Sequence, residues 1–342
     1  MILVTGGTGY IGSHTCVELM EKGYEVLIAD NLSNSHLDVV DRIGNITGKK
    51  PLFEKIDLSD RKQTQNLFDA YKDIRAIIHF AAYKAVGESV QKPLRYYHNN
   101  LNSLIYLLEN MTERGIRNFV FSSSCTVYGE PDSLPVSEES PIKPANSPYG
   151  NTKQISEEIL RDTCHVNKNL QLISLRYFNP IGAHPSSEIG ELPLGVPDNL
   201  VPFITQTAYG IRGELKVFGD DYNTPDGSAI RDYINVVDLS KAHVVAIERL
   251  LTHKNKKSFE TFNLGTGRGN SVLEVIYAFE KATGIKLNYK IVGRREGDVE
   301  KVYADTRLAN AELGWRAEKG LEETLLSAWN WEKKYREQIE KK

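Results

Sequence analysis

Cysteine is scarce in this sequence. Cys16, Cys125 and Cys164 are the only three in 342 residues, an odd set without CxxC or Cys/His ligand spacing, which argues against a disulfide framework and a structural zinc. Cys125 stays open as a nucleophile, although its sequence neighbours supply no base. No stretch approaches the roughly 18 consecutive apolar residues of a membrane-spanning helix. The opening MILVTGG has no basic segment followed by a long apolar one, so the expectation is a cytoplasmic protein with no membrane partner. An excess of one charge is also missing. Lys and Arg number 42 against 45 Asp and Glu, a net charge of −3, and no run of like charge exceeds a few residues. That excludes the basic footprint of a nucleic-acid binder or a membrane-surface patch. Internal repeats and low-complexity segments are absent too. The expected partners are therefore small molecules, with no metal.

What is present fits a soluble globular chain of about two domains, with 40% hydrophobic and 25% charged residues. Apolar runs recur at ILV (2–4), EVLIA (25–29), PLFEKID (51–57), RAIIHF (75–80), NFVFSS (118–123) and LQLISLRYF (170–178), with amphipathic stretches of helical length between them. Strands alternating with helices predict right-handed crossovers and a doubly wound parallel sheet, an α/β fold of Rossmann-like type whose ligand crevice lies at the strands' carboxyl ends. After residue 179 the alternation stops in NPIGAHPSSEIGELPLGVPDN. The expected division is a nucleotide-binding domain over 1–179 and a smaller α/β substrate domain over 180–342. RDYINVVDLSKAH and ETFNLGTG, within about 232–265, each look like a strand returning to a sheet, so the second part is expected to interleave with the first.

TGGTGYIG at 5–12 follows the first strand and opens the helical IGSHTCVELMEK, which Gly23 would cap. Gly7, Gly9 and Gly12 satisfy GxGxxG in strand-turn-helix context, where glycine permits a tight turn and close approach to a pyrophosphate, and the helix start supplies free amides. A plain glycine-rich turn is the alternative. Asp30 ends the second strand, 18 residues beyond Gly12, where a carboxylate would bond an adenosine ribose and repel a 2′-phosphate. With no arginine before Arg42, NAD is favoured over NADP. An ordinary turn aspartate in ADNLSNS remains the rival reading.

NSPYGNTK at 146–153 carries a second pattern. Ser147 is a good N-cap and Pro148 a good first helical residue, which places Tyr149 in the first turn and Lys153 one turn on along the same face. A free phenol is a poor base at neutral pH, but an adjacent ammonium, a positive helix end and a cationic nicotinamide would each favour phenolate, so Tyr149 is expected to act as a general base. Spacing alone is weak, because Tyr277 and Lys281 match it too, in an apolar helical pattern where the tyrosine is expected to be core. The discriminator is FVFSSSCTVYGE, which ends a strand about 25 residues before Tyr149 and is expected to set Ser122, Ser123 and Ser124 at the crevice. GTGRG at 265–269 lacks GxGxxG spacing and reads as a turn before a helix.

TGGTGYIG, the serine-bearing strand end and YGNTK together resemble the extended short-chain dehydrogenase/reductase family. Seven ordered motifs, HFAAYKAVGESVQKP, SSSCTVYGE, SPYGNTK, RYFNPIGAHPSSEIGE, FGDDYNTPDGSAIRDYI, NLGTGRGNSVLEV and REGD, resemble the UDP-glucose 4-epimerases over essentially the whole chain. Asp198 departs from that pattern, which commonly has Asn there. The resemblance implies a catalytic set of Ser124, Tyr149 and Lys153, a tightly held NAD, and C4 epimerisation of a UDP-hexose through a transient 4-keto sugar. It implies cofactor contacts from Gly6, Gly7, Gly9, Tyr10, Ile11, Gly12, Asp30, Asn31, Asn34, Ser35, Asp57, Leu58, Phe80, Ala81, Lys84, Asn99, Ser122 and Phe178, besides Tyr149 and Lys153. It implies substrate contacts from Lys84, Ser124, Tyr149, Asn179, Asn199, Leu200, Phe218, Arg231, Tyr233, Arg295 and Asp298. Val302 stands where members restricted to glucose and galactose tend to carry tyrosine, which implies space for an N-acetylated sugar as well. A homodimer through 93–115 and 149–166 is expected by the same analogy. Rival readings are a C4 epimerase of a uronic acid or pentose, a nucleotide-sugar dehydratase, and a non-catalytic NAD-binding regulator. The dehydratase would need an acid/base carboxylate pair where Ser124, Cys125 and Thr126 stand.

Overall fold

The structure, a computed structural model, describes residues 1–295 and 298–340. Glu296 and Gly297 of the REGD motif, and the last two residues of the 180–342 segment, lie outside the described residues. In chain order the first half runs β1 (Ile2–Thr5), α1 (Tyr10–Glu21), β2 (Val26–Asp30), α2 (Asp38–Thr47), β3 (Leu52–Lys55), α3 (Arg61–Ala70) and β4 (Ala76–His79). It continues with α4 (Val86–Gln91), α5 (Pro93–Arg114), β5 (Asn118–Ser124), a 3-10 turn (Cys125–Tyr128), α6 (Pro148–Val166) and β6 (Gln171–Tyr177). The second half runs β7 (Asn179–Ile181), α7 (Leu200–Ala208), β8 (Leu215–Phe218), β9 (Ile230–Arg231), β10 (Tyr233–Asn235), α8 (Val236–Leu251) and β11 (Phe259–Leu264). It ends with β12 (Asn270–Ser271), α9 (Val272–Thr283), β13 (Tyr289–Val292), β14 (Lys301–Val302), α10 (Arg307–Glu312) and α11 (Leu321–Glu340).

Seven strands form one all-parallel sheet in the order β11-β6-β5-β4-β1-β2-β3. Its central strands read as continuous apolar runs, ILVT in β1 and AIIH in β4, because both faces are covered. One face packs on α1 and α8, with Val17, Leu19, Leu239 and Ile247 in its core; the other packs on α3, α5 and α6 through Phe68, Leu107, Met111 and Leu160. The strand order reverses beside β1, which opens the crevice at the carboxyl ends of β1 and β4. A smaller core of Ile204, Val217, Ile276, Phe279 and Leu325 gathers α7, β8, α9 and α11.

The two segments expected to return as strands behave differently. ETFNLGTG supplies β11, the edge partner of β6. RDYINVVDLSKAH contributes Arg231 at the end of β9 and the short β10, paired with β7 in a separate two-stranded sheet, and from Val236 onward is helical. The reason is local: the Asn235 side chain accepts the Val237 N–H at 2.8 Å and starts α8, whose apolar face then packs on α1. Tyr277 also departs from expectation. It is 52% exposed, because Leu273, Val275, Ile276 and Phe279 form the buried face of α9, and its partner Lys281 is drawn to Glu322 at 2.6 Å.

Candidate active site

The glycine loop closes on itself. Gly6 has φ +69°, a left-handed conformation that favours glycine, and a Cβ on Gly12 would stand 2.2 Å from the Gly6 carbonyl oxygen. Helix α1 starts at Gly9 without a capping side chain or an acidic residue in its first turn. The orphan amides and the positive helix end therefore face the crevice. Asp30, 9% exposed at the end of β2, sits against this loop: it accepts the Thr8 N–H at 3.3 Å, the Leu32 N–H at 2.9 Å and the Ser35 hydroxyl at 3.3 Å. A glycine cradle at an uncapped helix start beside a carboxylate fits a dinucleotide with free ribose hydroxyls.

The remaining candidates for cofactor contact are spread around that loop. Tyr10 donates its hydroxyl to Gly182 at 2.6 Å and so ties the loop to the second half of the chain, with Ile11 packed beside it on the α1 face. Asn31 accepts the Ser33 N–H, Asp57 accepts both the N–H and the hydroxyl of Ser59, Leu58 is buried and Asn34 is exposed. Phe80 and Ala81 follow β4 against Gly6, and Asn99 donates to Asn100. Lys84 is exposed; its ammonium lies 3.4 Å from Glu191, whose same oxygen accepts from Asn199 at 2.6 Å. Glu191 was invisible to sequence reasoning, since nothing in IGELPLG marks it apart from other loop carboxylates.

Ser124, Tyr149 and Lys153 come together where β5 ends and α6 begins. The Ser147 hydroxyl accepts the Gly150 N–H at 3.2 Å and Pro148 is the first helical residue, so the cap expected from NSPYG forms. Ser124 is 8% exposed, and its hydroxyl accepts the Thr126 N–H at 3.2 Å. Lys153, 4% exposed, donates to the Ser122 carbonyl at 2.6 Å and lies 4.8 Å from the Phe121 ring centre and 5.9 Å from that of Tyr149. The Ser122 hydroxyl bonds that of Tyr177.

Two expectations are corrected here. Strand pleating turns Ser123 away from Ser122 and Ser124, toward a Glu157–Arg176 pair, so only two of the three serines face the site. The phenol of Tyr149 is not lowered by the chain alone: burial pushes it up to about 12, with the nearby Ser124 hydroxyl opposing. Burial also brings Lys153 down to about 7, against the pull of Glu157. The Cys125 thiol is pushed up to about 12 by burial, which leaves it a poor nucleophile.

On the far side of the crevice the candidate substrate residues assemble around Asp298. Its carboxylate accepts two hydrogen bonds from Arg295, at 2.8 and 3.1 Å, and lies 3.8 Å from Arg231. Arg295 stacks 5.5 Å from the centre of the Phe218 ring, itself 37% exposed. Val302 pairs with Arg231 across β14 and β9 and joins Val127, Tyr128 and Phe178 in a small apolar cluster. Asn179 pairs with the buried Tyr233 between β7 and β10, and Leu200 opens α7 behind Asn199. Asp232 organises this wall. Wholly buried, it accepts from the Thr266 N–H and hydroxyl at 2.8 and 2.7 Å, from Gly267 N–H at 3.1 Å and from Ala304 N–H at 3.2 Å, while burial raises its pKa. GTGRG is thus an anion loop whose anion is the chain's own aspartate; the only signal in the sequence was an acidic residue inside an otherwise strand-like RDYI.

A doubly wound sheet, a glycine loop beside an aspartate, and serine, tyrosine and lysine at adjoining strand and helix ends define an enzyme of the short-chain dehydrogenase/reductase type. The family model described as GDP-mannose 4,6 dehydratase matches residues 3–327. The chain is 50% identical to the UDP-glucose 4-epimerase of Bacillus subtilis over 331 residues, covering 97% of this chain and 96% of that protein. It is also similar to the crystal structure of UDP-glucose-4-epimerase from Stenotrophomonas maltophila with bound NAD and formylated UDP-arabinopyranose, with TM-score 0.95, 47% identity, and 98% and 99% of the two chains covered. The enzyme from Bifidobacterium longum in complex with NAD+ and UDP gives TM-score 0.93 at 46% identity, with 98% of each chain covered. The chain belongs to this nucleotide-sugar family and, within it, to the UDP-glucose 4-epimerases. Among the described residues no helix is long and apolar enough to cross a membrane, and no group of three His, Cys, Asp or Glu side chains is placed to hold a metal.

Proposed function

We propose that the chain interconverts UDP-galactose and UDP-glucose by reversible oxidation at sugar C4 with NAD, and accepts their N-acetylated counterparts. The observation that carries this reading is the convergence of Ser124, Tyr149 and Lys153 between the glycine loop and the Arg231–Asp298–Arg295 wall. NAD, held by the glycine loop and Asp30, supplies reversible hydride acceptance and a positive nicotinamide charge that opposes burial at the phenol. Tyr149 takes the proton of the 4-hydroxyl, Ser124 bonds the same oxygen, and Lys153 orders the serine strand through the Ser122 carbonyl. The forked Arg231 and Arg295 suit the diphosphate, leaving the sugar free to turn about that link and present its other face.

The rival dehydratase chemistry is disfavoured because two carboxylates packed by the serine strand and the substrate wall are fully engaged: Glu157 by Ser123, Ser174 and Arg176, Asp232 by four donors. A valine at 302, smaller than a tyrosine, supports acceptance of the N-acetylated sugars. Pairing of two copies through α5 and α6 is supported by the adjacent packing of these helices and by the partly exposed apolar Leu101, Ile105, Ile155 and Ile159 along them. Purified protein incubated with UDP-galactose, and separately with UDP-N-acetylglucosamine, and followed by NMR of the sugar tests the reading. C4 epimers form if it is right; a lack of conversion even with NAD supplied removes it.

A further inference from the structure

We infer that Glu157, one turn beyond Lys153, is a positioning residue for the reaction: its buried pair with Arg176 fixes the end of the serine strand and the ammonium beside it. This rests on the proposed roles of Ser124, Tyr149 and Lys153.

Glu157 and Arg176 are 3% and 4% exposed. One carboxylate oxygen accepts the Ser123 hydroxyl at 2.6 Å, the Ser174 hydroxyl at 2.8 Å and Arg176 Nε at 2.9 Å; the other accepts Arg176 Nη2 at 2.5 Å. Arg176 Nη1 continues to the Tyr128 hydroxyl at 2.9 Å, which donates to Asn263 at 2.6 Å. The pair therefore grips the chain on both sides of Ser124, at Ser123 before it and at Tyr128 after it. Lys153 holds the same strand end through the Ser122 carbonyl.

A buried ion pair is a poor device for stability alone, because apolar residues of equal volume do as well without the desolvation cost. Its place behind the strand end, bonded on both sides of Ser124, is what gives it a role. Charge points the same way. Lys153 is faced by Tyr149 and Glu157 from its own helix and by His79 from β4; Arg176 on β6 reaches Glu157, Tyr177 on β6 bonds the Ser122 hydroxyl, and α5 brings the uncharged Asn100, bonded to Thr152. Among the described residues Glu157 is the carboxylate that favours the ammonium, against the burial that disfavours it.

The test compares the parent with Glu157→Gln, which keeps the shape and removes the charge, and with the double variant Glu157→Leu/Arg176→Met, which removes the pair together and so avoids an unpaired buried arginine. With UDP-galactose as substrate, kcat should fall about tenfold or more in both, with KM and UDP binding unchanged. In Glu157→Gln the alkaline limb of the kcat profile should move down by about one pH unit, as an adjacent charge does to a pKa. Parent-like kcat and pH profile in either folded variant overturn the inference, as does a loss confined to KM or thermal stability. If the parent itself does not epimerise, the functional reading beneath it fails; an active parent matched by its variants sinks only the role of Glu157.

Discussion

Acidification from pH 7 to pH 5 should withdraw about 6 kcal/mol of stability through three buried histidines. His14, His79 and His243 are at most 2% exposed. Burial lowers their pKa from 6.5 to about 3, about 3 and about 4, and among the described residues each is held at one ring nitrogen: by the Tyr10 carbonyl at 2.7 Å, the Thr5 hydroxyl at 2.7 Å and the Leu239 carbonyl at 2.9 Å. The native state keeps them neutral while the unfolded chain binds protons below 6.5. Their contribution is thus complete above that value and is lost as pH falls toward 4. Each loses about 2 kcal/mol over those two pH units, and the slope approaches about 4 kcal/mol per pH unit. Other groups act at the edges of that window or against it: Lys153, lowered to about 7 from 10.5, changes stability above pH 7, the lowered carboxylates such as Glu157 act below 4.5, and Glu18, Glu138 and Asp232, raised by burial, oppose the loss as they take up protons. Half-buried His184 adds with the same sign as the three histidines. Urea unfolding followed by tryptophan fluorescence at fixed protein and cofactor concentration reads the slope, and His79→Asn should remove about a third of it. Stability that is flat from pH 7 to pH 5, or a variant with the full slope, would refute the reasoning.

Other outcomes follow from single contacts. Asp232→Asn turns an amide N–H₂ toward two N–H or O–H donors; left unpaired, they should cost about 2–6 kcal/mol and raise KM for the UDP-sugar through the loosened Arg231 and Val302. A urea-unfolding change below about 1 kcal/mol speaks against that carboxylate as the organiser of the wall. Gly12→Ala forces a methyl to within 2.2 Å of the Gly6 carbonyl, so the purified variant should carry no dinucleotide absorbance or fluorescence after denaturation, in contrast to the parent. Val302→Tyr should abolish conversion of UDP-N-acetylglucosamine and spare that of UDP-galactose; retained N-acetyl activity removes the gate.

Legibility in the sequence followed locality. The strands, the glycine loop, Asp30 and the Ser147 cap are written in short stretches, because turn chemistry and capping are decided by neighbouring residues. The returning β10 was over-read for the same reason in reverse: apolar VV after YIN looks strand-like until Asn235 is seen to cap a helix. Groups that act across the fold left little trace. Glu157 and Arg176 are 19 residues apart, Asp232 and Thr266 are 34 apart, and Lys84 and Glu191 are 107 apart, so each pairing exists only after the sheet is built. The Tyr149 phenol shows the same limit, since its neighbours on the helix predicted a lowered pKa and its burial under the crevice raises it.

Tyr149→Phe bears on the whole account more directly than any other change. The variant lacks one hydroxyl and keeps the ring, the glycine loop and the arginine wall. With UDP-galactose at saturation, kcat should drop by at least about 100-fold, while the variant still retains NAD and binds UDP as the parent does. Turnover equal to the parent's would contradict the claim that this phenol carries the proton at C4.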